Sequence, residues 1–392
     1  MNIIINELKK IFNIKSILVV GVICFLIYQM FIEFHIKIFP NGYPDTDTYE
    51  IAKRIVEEKG VLPKEGLEYL RGIENEYKIK ATEYLKENKL AQELGITNYD
   101  EYADKVNNIH KKHYESENDM DKKINQLYDD IMFVNKIDAY WNLQGIEGFI
   151  MRVRGKKITD NMESLSKSQI NRLNEIINSE SYNDVLPELV FSNYNEFIIN
   201  SAILILISVV FFIAPIFTKD KHNKLEYIQY STKRGRKLYK DKILTSLIAT
   251  FIIATVELGG LFYLYLTREN TVEMFYNSSI NSIFRYKMNW FDVNFKEYII
   301  LCVVLVYIFA FAISLITCYI SRKSDRYITL TGICILLAIL LTSILRSNYM
   351  VYRGLGDLYI PRFFIEGILL IILLVGVTLI SLRYRKEKRI NI

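Results

Sequence analysis

Six uninterrupted apolar blocks, near residues 16–36, 197–217, 243–266, 298–320, 327–345 and 362–382, constrain this chain more than any other feature. A bilayer's hydrocarbon core, roughly 30 Å thick, takes about 20 helical residues, and each block has about that length. Lipid satisfies no backbone N–H or C=O, so segments of this kind are helices. The second and fourth blocks contain no charged side chain. A soluble chain of 392 residues would instead spread its apolar residues at helix or strand period.

The expected fold class is all-α: a polytopic membrane protein with six transmembrane helices and a helical extracytoplasmic domain between the first and second. The expected segments are an amphipathic N-terminus (1–15), the first span (16–39), the extracytoplasmic domain (40–196), the second span (197–217), a basic loop (218–242) and the third span (243–266). An outer loop (267–297), the fourth and fifth spans (298–320 and 327–345), a second outer loop (346–361), the sixth span (362–382) and a basic tail (383–392) complete the chain.

Charge is segregated in the same way. Residues 40–196 hold 21 Lys+Arg and 30 Asp+Glu, so of the net +5 this stretch carries −9 and the apolar remainder +14. Positive charge set between apolar blocks follows membrane topology, and nucleic acid is not an expected partner. The N-terminal segment, the 218–242 loop, the 321–326 turn and the tail carry 20 Lys and Arg, whereas the opposite short segments carry 7. Positive charge is retained on the cytoplasmic face, which puts both termini and the 218–242 loop inside a cell membrane and residues 40–196 outside. Lys9, Lys10 and Lys15 precede the first block and no small-residue cleavage site follows it, which predicts an uncleaved signal anchor.

All four cysteines, Cys24, Cys302, Cys318 and Cys334, fall within the expected spans. The outer domain therefore has no disulfide to hold it. No two cysteines share a metal-site spacing, so they read as small packing residues.

The outer domain reads as helical, with marked helix starts. Asp47 and Glu50 have capping-box spacing ahead of Ile51 and Ile55, and Gly60 with Pro63 ends that run. A second helix over 64–93 carries Leu67, Leu70, Tyr77, Tyr84 and Leu85 and stops at Gly95. Thr97 and Asn98 cap a third, Asp119 starts a fourth reaching 138, and Ser166 with Gln169 caps another bearing Ile170, Leu173 and Ile177. These narrow, tyrosine-rich stripes suit a small bundle. His110 and His113, with Glu117 near, have metal-site spacing, but a solvated helix face explains them without a third ligand. Ser164 and Lys167 match a serine/lysine nucleophile spacing only by chance in a polar linker.

Acids inside the spans are the more informative anomalies. Glu257 lies well within the third block, where an ionised carboxylate costs roughly 2 to 3 kcal/mol or more unless it faces protein or water. Glu33, near the outer end of the first span, and Glu366, near the outer start of the sixth, lie at comparable depth, so the three acids are candidates for a shared outer vestibule. The bland readings are an interfacial Glu33 and a Glu366 paired with Arg362 one turn earlier. For Glu257 a structural hydrogen bond and a transport role stand side by side. Gly259 and Gly260 beside it would permit close helix approach or a kink.

Pro215 removes a backbone donor and bends the second span just before the basic loop. The loop reads as a short helix with Leu225, Ile228 and Gln229 at helix spacing, a break over 231–235, and a basic re-entry. On its own this is a positive-inside anchor against anionic lipid head groups.

Together, the amphipathic start (Ile5, Leu8, Ile11 and Phe12 against Lys9 and Lys10), the six spans and this loop resemble the membrane subunits of ABC-2 type ATP-binding cassette transporters. In that family an acid follows the second span, then come a short helix, a polar break with glycine and arginine, and a lysine opening the third span. Asp220, Ser231, Arg234, Gly235, Arg236 and Lys242 fit those places. The resemblance covers about 235 of the 392 residues. It implies a transport permease whose loop, at Asp220, Leu225, Ile228, Tyr230, Ser231, Arg234, Gly235 and Arg236, docks on a separate cytoplasmic ATPase subunit. It also implies a second permease chain, identical or related.

This chain has no Walker loop ending in Gly-Lys-Ser/Thr, so it is not itself expected to be an enzyme, and ATP and Mg belong to the partner subunit. The implied cargo is a peptide or other amphipathic molecule, exported or cleared. The competing reading is a membrane-anchored extracellular interaction or sensor protein. An intramembrane enzyme is disfavoured, because no span carries a metalloprotease or Ser/His pattern.

Overall fold

A computed structural model describes residues 2–111, 118–154, 165–223, 225, 235–285, 287–347 and 354–388. Along the chain the helices are α1 (Asn2–Ile11), α2 (Ile14–Lys37, with a π turn at Tyr28–Ile32), α3 (Asp45–Lys59), α4 (Gly66–Glu87), α5 (Lys89–Glu93), α6 (Tyr99–Lys111), α7 (Asp119–Asp129), α8 (Asp138–Arg154) and α9 (Lys167–Asn178). They continue as α10 (Glu188–Ile213), α11 (Pro215–His222), α12 (Gly235–Leu266), α13 (Phe295–Lys323), α14 (Tyr327–Leu345) and α15 (Phe364–Lys388). Among the described residues there is no strand, only the isolated bridges Ser279 to Asn294 and Asn289 to Asp357. Six helices are long and apolar enough to cross a membrane, and they coincide with the six apolar blocks. The chain divides into two compact units, one of residues 1–39, 191–280 and 287–392 and the other of 40–190 and 281–286.

The first unit is the apolar bundle. Its α10 is the most enclosed of the six long helices, and α13 packs most extensively on α15. That contact is close because Gly376 stands where a Cβ would lie 3.1 Å from the Leu315 Cβ and 3.2 Å from the Ala312 carbonyl. The capping box of Asn294 and Glu297 fixes the start of α13. Pro215 does more than bend the second span: α10 ends at Ile213, and Pro215 occupies the first turn of a new helix. Gly259 and Gly260 do not serve a close helix approach: α12 is continuous through them and nothing described lies within 4 Å of a Cβ placed at either position.

The second unit is a small helical bundle in which α8 packs against α3 and α4. Its core is rich in tyrosine, with Tyr99, Tyr102 and Tyr140 ring against ring and the Tyr140 hydroxyl donating to the Ala81 carbonyl at 3.0 Å. Three of the expected helix starts hold: Asn98 accepts from the Glu101 N–H, Asn118 caps α7, and Ser166 with Gln169 forms a full capping box. The Asp47 box does not form. Here α3 starts three residues earlier, with Pro44 in the cap position, so Asp47 lies inside the first turn and is buried. The expected 64–93 helix breaks at Asn88, whose side chain caps α5, and the helix expected to run on to 138 ends at Asp129 in a π turn. On α4 the buried face is Gly66, Leu70, Ile73, Ala81 and Leu85, leaving Leu67, Tyr77 and Tyr84 half-buried.

Candidate functional site

At the basic end of the bundle, three helices meet over a buried cluster of charge. Lys242, on α12, is 2% exposed; its Nζ donates to Asp220 Oδ2 at 2.5 Å and to the Ile216 carbonyl at 2.6 Å, both on α11. From α1, Glu7 Oε2 lies 3.7 Å from Lys242 Nζ, while Lys10 Nζ meets Glu7 Oε1 at 2.5 Å and Asp220 Oδ1 at 3.7 Å. The two acids and two bases balance, which is what makes the burial of Glu7 and Asp220, each 5% exposed, tolerable. Four residues after Glu7, Ile11 is also buried, and Phe12 meets the Phe212 ring at 5.3 Å. The buried face of α1 is thus part apolar and part acidic.

The other flank of α11 is held by α13. A helix starting at a proline leaves its next N–H groups without intrahelical acceptors, and Ser321 Oγ takes the one at Phe217, at 3.2 Å. Thr218 Oγ1 donates to the Ser321 carbonyl at 3.1 Å, and Lys221 Nζ donates to the Arg322 carbonyl at 2.7 Å and to Asp325 at 3.0 Å. Arg322 in turn forms a forked pair with Glu387 on α15, Nε to Oε1 at 2.8 Å and Nη2 to Oε2 at 3.0 Å, and Arg383 reaches the same carboxylate at 2.8 Å. Eight residues of helix are therefore fixed to α12 and α1 on one side and to α13 on the other.

Of the expected loop residues, Asp220 belongs to this cluster and Leu225 is exposed. Gly235 begins α12 and Arg236 lies in its first turn, while Ile228, Tyr230, Ser231 and Arg234 lie outside the described residues. Lys242, expected to open the third span, lies inside α12, seven residues after its start at Gly235. Glu7 and Lys10 were not among the expected site residues; the signal is an acid on the apolar side of α1, four residues before Ile11 and three before Lys10.

The three intramembrane acids do not share one depth. Glu257 Oε1 accepts from Cys24 Sγ at 3.6 Å, and that sulfur also lies 3.3 Å from Ser208 Oγ. Cys24 precedes Glu33 by nine residues on α2, about 13 Å along a helix, so Glu257 sits that much deeper. Glu33 pairs with Lys37 one turn on, in keeping with an interfacial position. Glu366 does not pair with Arg362, which lies over the Phe291 and Phe363 rings at 5.7 and 5.0 Å. Both carboxylate oxygens of Glu366 are buried without a hydrogen-bond partner among the described residues, as is Glu257 Oε2.

At the opposite end, Asn195 on α10 accepts from the Tyr298 hydroxyl at 2.8 Å, and that hydroxyl accepts from the Leu355 N–H at 3.2 Å. Gly354 has φ +72°, and a Cβ there would lie 2.6 Å from the Tyr298 oxygen, so only glycine lets the segment come this close. The 287–294 and 354–360 segments lie antiparallel, with the Trp290 N–H on the Gly356 carbonyl and the Leu358 N–H on the Met288 carbonyl, both at 2.8 Å. Beside them, α10, α13, α14 and α15 line a small, half-open apolar pocket of about 70 Å³.

No group of three His, Cys, Asp or Glu among the described residues has the arrangement to hold a metal ion. His110 packs edge-on against the Tyr128 ring, while His113, Glu117 and Ser164 lie outside the described residues. The four cysteines are free thiols, and Cys318 donates to Ser246 Oγ at 3.1 Å. Comparisons with family models, curated proteins and solved structures return no match for this chain.

Proposed function

We propose that this chain is the membrane-spanning permease subunit of an ABC-2 type transporter, exporting or clearing a peptide or other amphipathic substrate. On this reading both termini and the 218–242 loop are cytoplasmic, residues 40–196 face outward, and the six long helices cross the cell membrane. ATP and Mg belong to a separate cytoplasmic ATPase subunit, and a second permease chain completes the transporter.

The observation that carries the reading is the double attachment of α11. Asp220 and Lys242 join it to the start of α12, and Ser321 and Arg322 receive its other face. A short helix at the basic end, following directly on one long helix and keyed to two others, is the lever that a push from an ATPase requires. A basic anchor for lipid head groups needs exposed charge, whereas Lys242 is buried and paired with Asp220.

The test acts on the loop. Gly235→Pro, or loss of Arg234 and Arg236, is expected to leave membrane insertion intact and to reduce ATPase association or coupled activity. Normal pull-down and wild-type transport by those variants would take the docking role away from the loop.

A further inference from the structure

The second unit carries an exposed aromatic face that its own core does not take up. Phe133 and Val134, in the π turn Asp130–Val134 after α7, are 55% and 69% exposed, while Ile131 and Met132 just before them are buried. A π turn adds a residue to the helical repeat and so re-aims the side chains that follow it. The exposed rings stand on a buried one. Trp141, on α8, is held by its indole N–H on the Met132 carbonyl at 3.1 Å; the exposed Tyr43 stacks on it at 4.7 Å, and Phe133 meets it edge-on at 6.0 Å. Tyr128, half-buried, is edge-on to Phe133 at 5.9 Å. Between the π turn and α8, Lys136 has φ +48°, a left-handed backbone that lysine seldom adopts.

The surround of this face is acidic. Residues 40–52 and 128–141, which hold all five side chains, carry Asp45, Glu50, Asp129, Asp130 and Asp138 besides the buried Asp47, against a single base, Lys136. Asp138 accepts from the Tyr43 hydroxyl at 3.1 Å. Burial and then the charge of Asp129 push the Tyr128 hydroxyl up, so a carboxylate stands near that ring as well. We infer that the face docks a cationic, amphipathic peptide, whose Lys or Arg side chains lie over the rings and against Asp129 and Asp138 while its apolar side chains cover Phe133 and Val134. An anionic lipid surface would meet charge of its own sign. So would a second copy of this chain, because an isologous contact sets each patch against itself.

As cargo, such a peptide rests on the permease reading; as a ligand of this surface it does not, and the test needs no ATPase. The full chain is reconstituted in phosphatidylcholine nanodiscs, with empty discs as the background. The probe is a synthetic peptide of lysine and leucine bearing one benzophenone, and its counterpart has glutamate at every lysine position. Crosslinks of the lysine peptide, mapped by mass spectrometry, are expected to fall around Tyr43 and within 128–141. Its affinity is expected to exceed that of the glutamate peptide by roughly tenfold or more, since like charges face each other in the second case.

Phe133→Ser is expected to weaken binding of the lysine peptide roughly tenfold, as loss of an aromatic anchor does, and Val134→Ser to act in the same direction. Asp138→Asn is expected to weaken it about threefold and to flatten its salt dependence. Met151→Ser, also on an exposed position of α8 but about 15 Å beyond Trp141, is expected to leave it unchanged. If Phe133→Ser is not recovered with the circular dichroism of the wild type, Val134→Ser and Asp138→Asn decide the matter. Equal binding of the two peptides, crosslinks spread over the whole chain, or affinity indifferent to Val134→Ser and Asp138→Asn would overturn the assignment. Saturable binding of tetramethylammonium with none of the lysine peptide would also overturn it.

Discussion

Lys242 donates to Asp220 at 2.5 Å across 22 residues of chain, with both side chains almost wholly buried. The pair joins the helix that leaves the second long apolar segment to the one that opens the third. Removing one member leaves a buried charge without its closest partner, an effect of about 3 to 5 kcal/mol. Glu7 and Lys10 lie near enough to soften the loss. Lys242→Met and Asp220→Leu are each expected to lower thermal stability in detergent strongly, and the double variant by less than the sum. Additive losses in this double-mutant cycle would mean that the two side chains act independently.

Glu387 receives both Arg322 and Arg383 and is fully buried. Glu387→Gln keeps the shape but leaves two guanidinium groups sharing a neutral amide. It is expected to destabilise by about 3 kcal/mol, whereas Arg383→Gln, the half-exposed partner, is expected to cost under about 1 kcal/mol. Thermal unfolding of the two variants orders them, and equal losses would contradict the assignment of Arg322 as the principal partner.

Glu257 sits against Cys24 and Ser208 with one oxygen unpartnered among the described residues. Glu257→Gln removes an ionisable carboxylate, whose charged form at that depth costs roughly 2 to 3 kcal/mol in insertion. The variant is expected to insert as well as the wild type or better and to change transport. Unchanged transport would assign Glu257 to helix packing.

Asp47 in the second unit responds to pH. Burial, followed by the charges of Asp138 and Glu50, pushes its carboxyl up to about 7. The folded form therefore keeps a proton that the unfolded chain releases near its ordinary value of about 4. Stability from this group is highest below that value and falls as pH rises toward 7. Burial raises Glu147 as well, which acts in the same direction. Asp47→Asn is expected to raise the unfolding temperature at pH 8 and to change it little at pH 4, measured by circular dichroism. A gain of equal size at both values would exclude a titrating Asp47 as the cause.

The membrane part of the fold was legible because lipid imposes one solution on a long apolar run. Residues 327–345 match the helix bounds Tyr327–Leu345. The helix of the second block starts earlier than its apolar run, because Glu188 to Glu196 forms helix with polar residues that hydropathy does not mark. The start of α13 depends on the Asn294 cap rather than on hydropathy. The π turn in α2 has no sequence mark. At the candidate site, Asp220 and Lys242 were visible as types in sequence, but their contact was not, because a period reports a face and never its partner. Glu7 was missed for the same reason: an amphipathic stripe ranks an acid as polar wherever its counter-charge lies. Position along a span does not give the depth of Glu257, which depends on the Cys24 contact between two helices.

The central claim is that a separate ATPase moves this bundle through α11 and the loop that follows it. Purification of the full chain from its native membrane in mild detergent, with identification of whatever accompanies it, tests that claim most directly. The account predicts a stoichiometric nucleotide-binding subunit that is lost from Gly235→Pro. A chain recovered without any ATPase, or one that holds it equally with and without that substitution, would contradict the account.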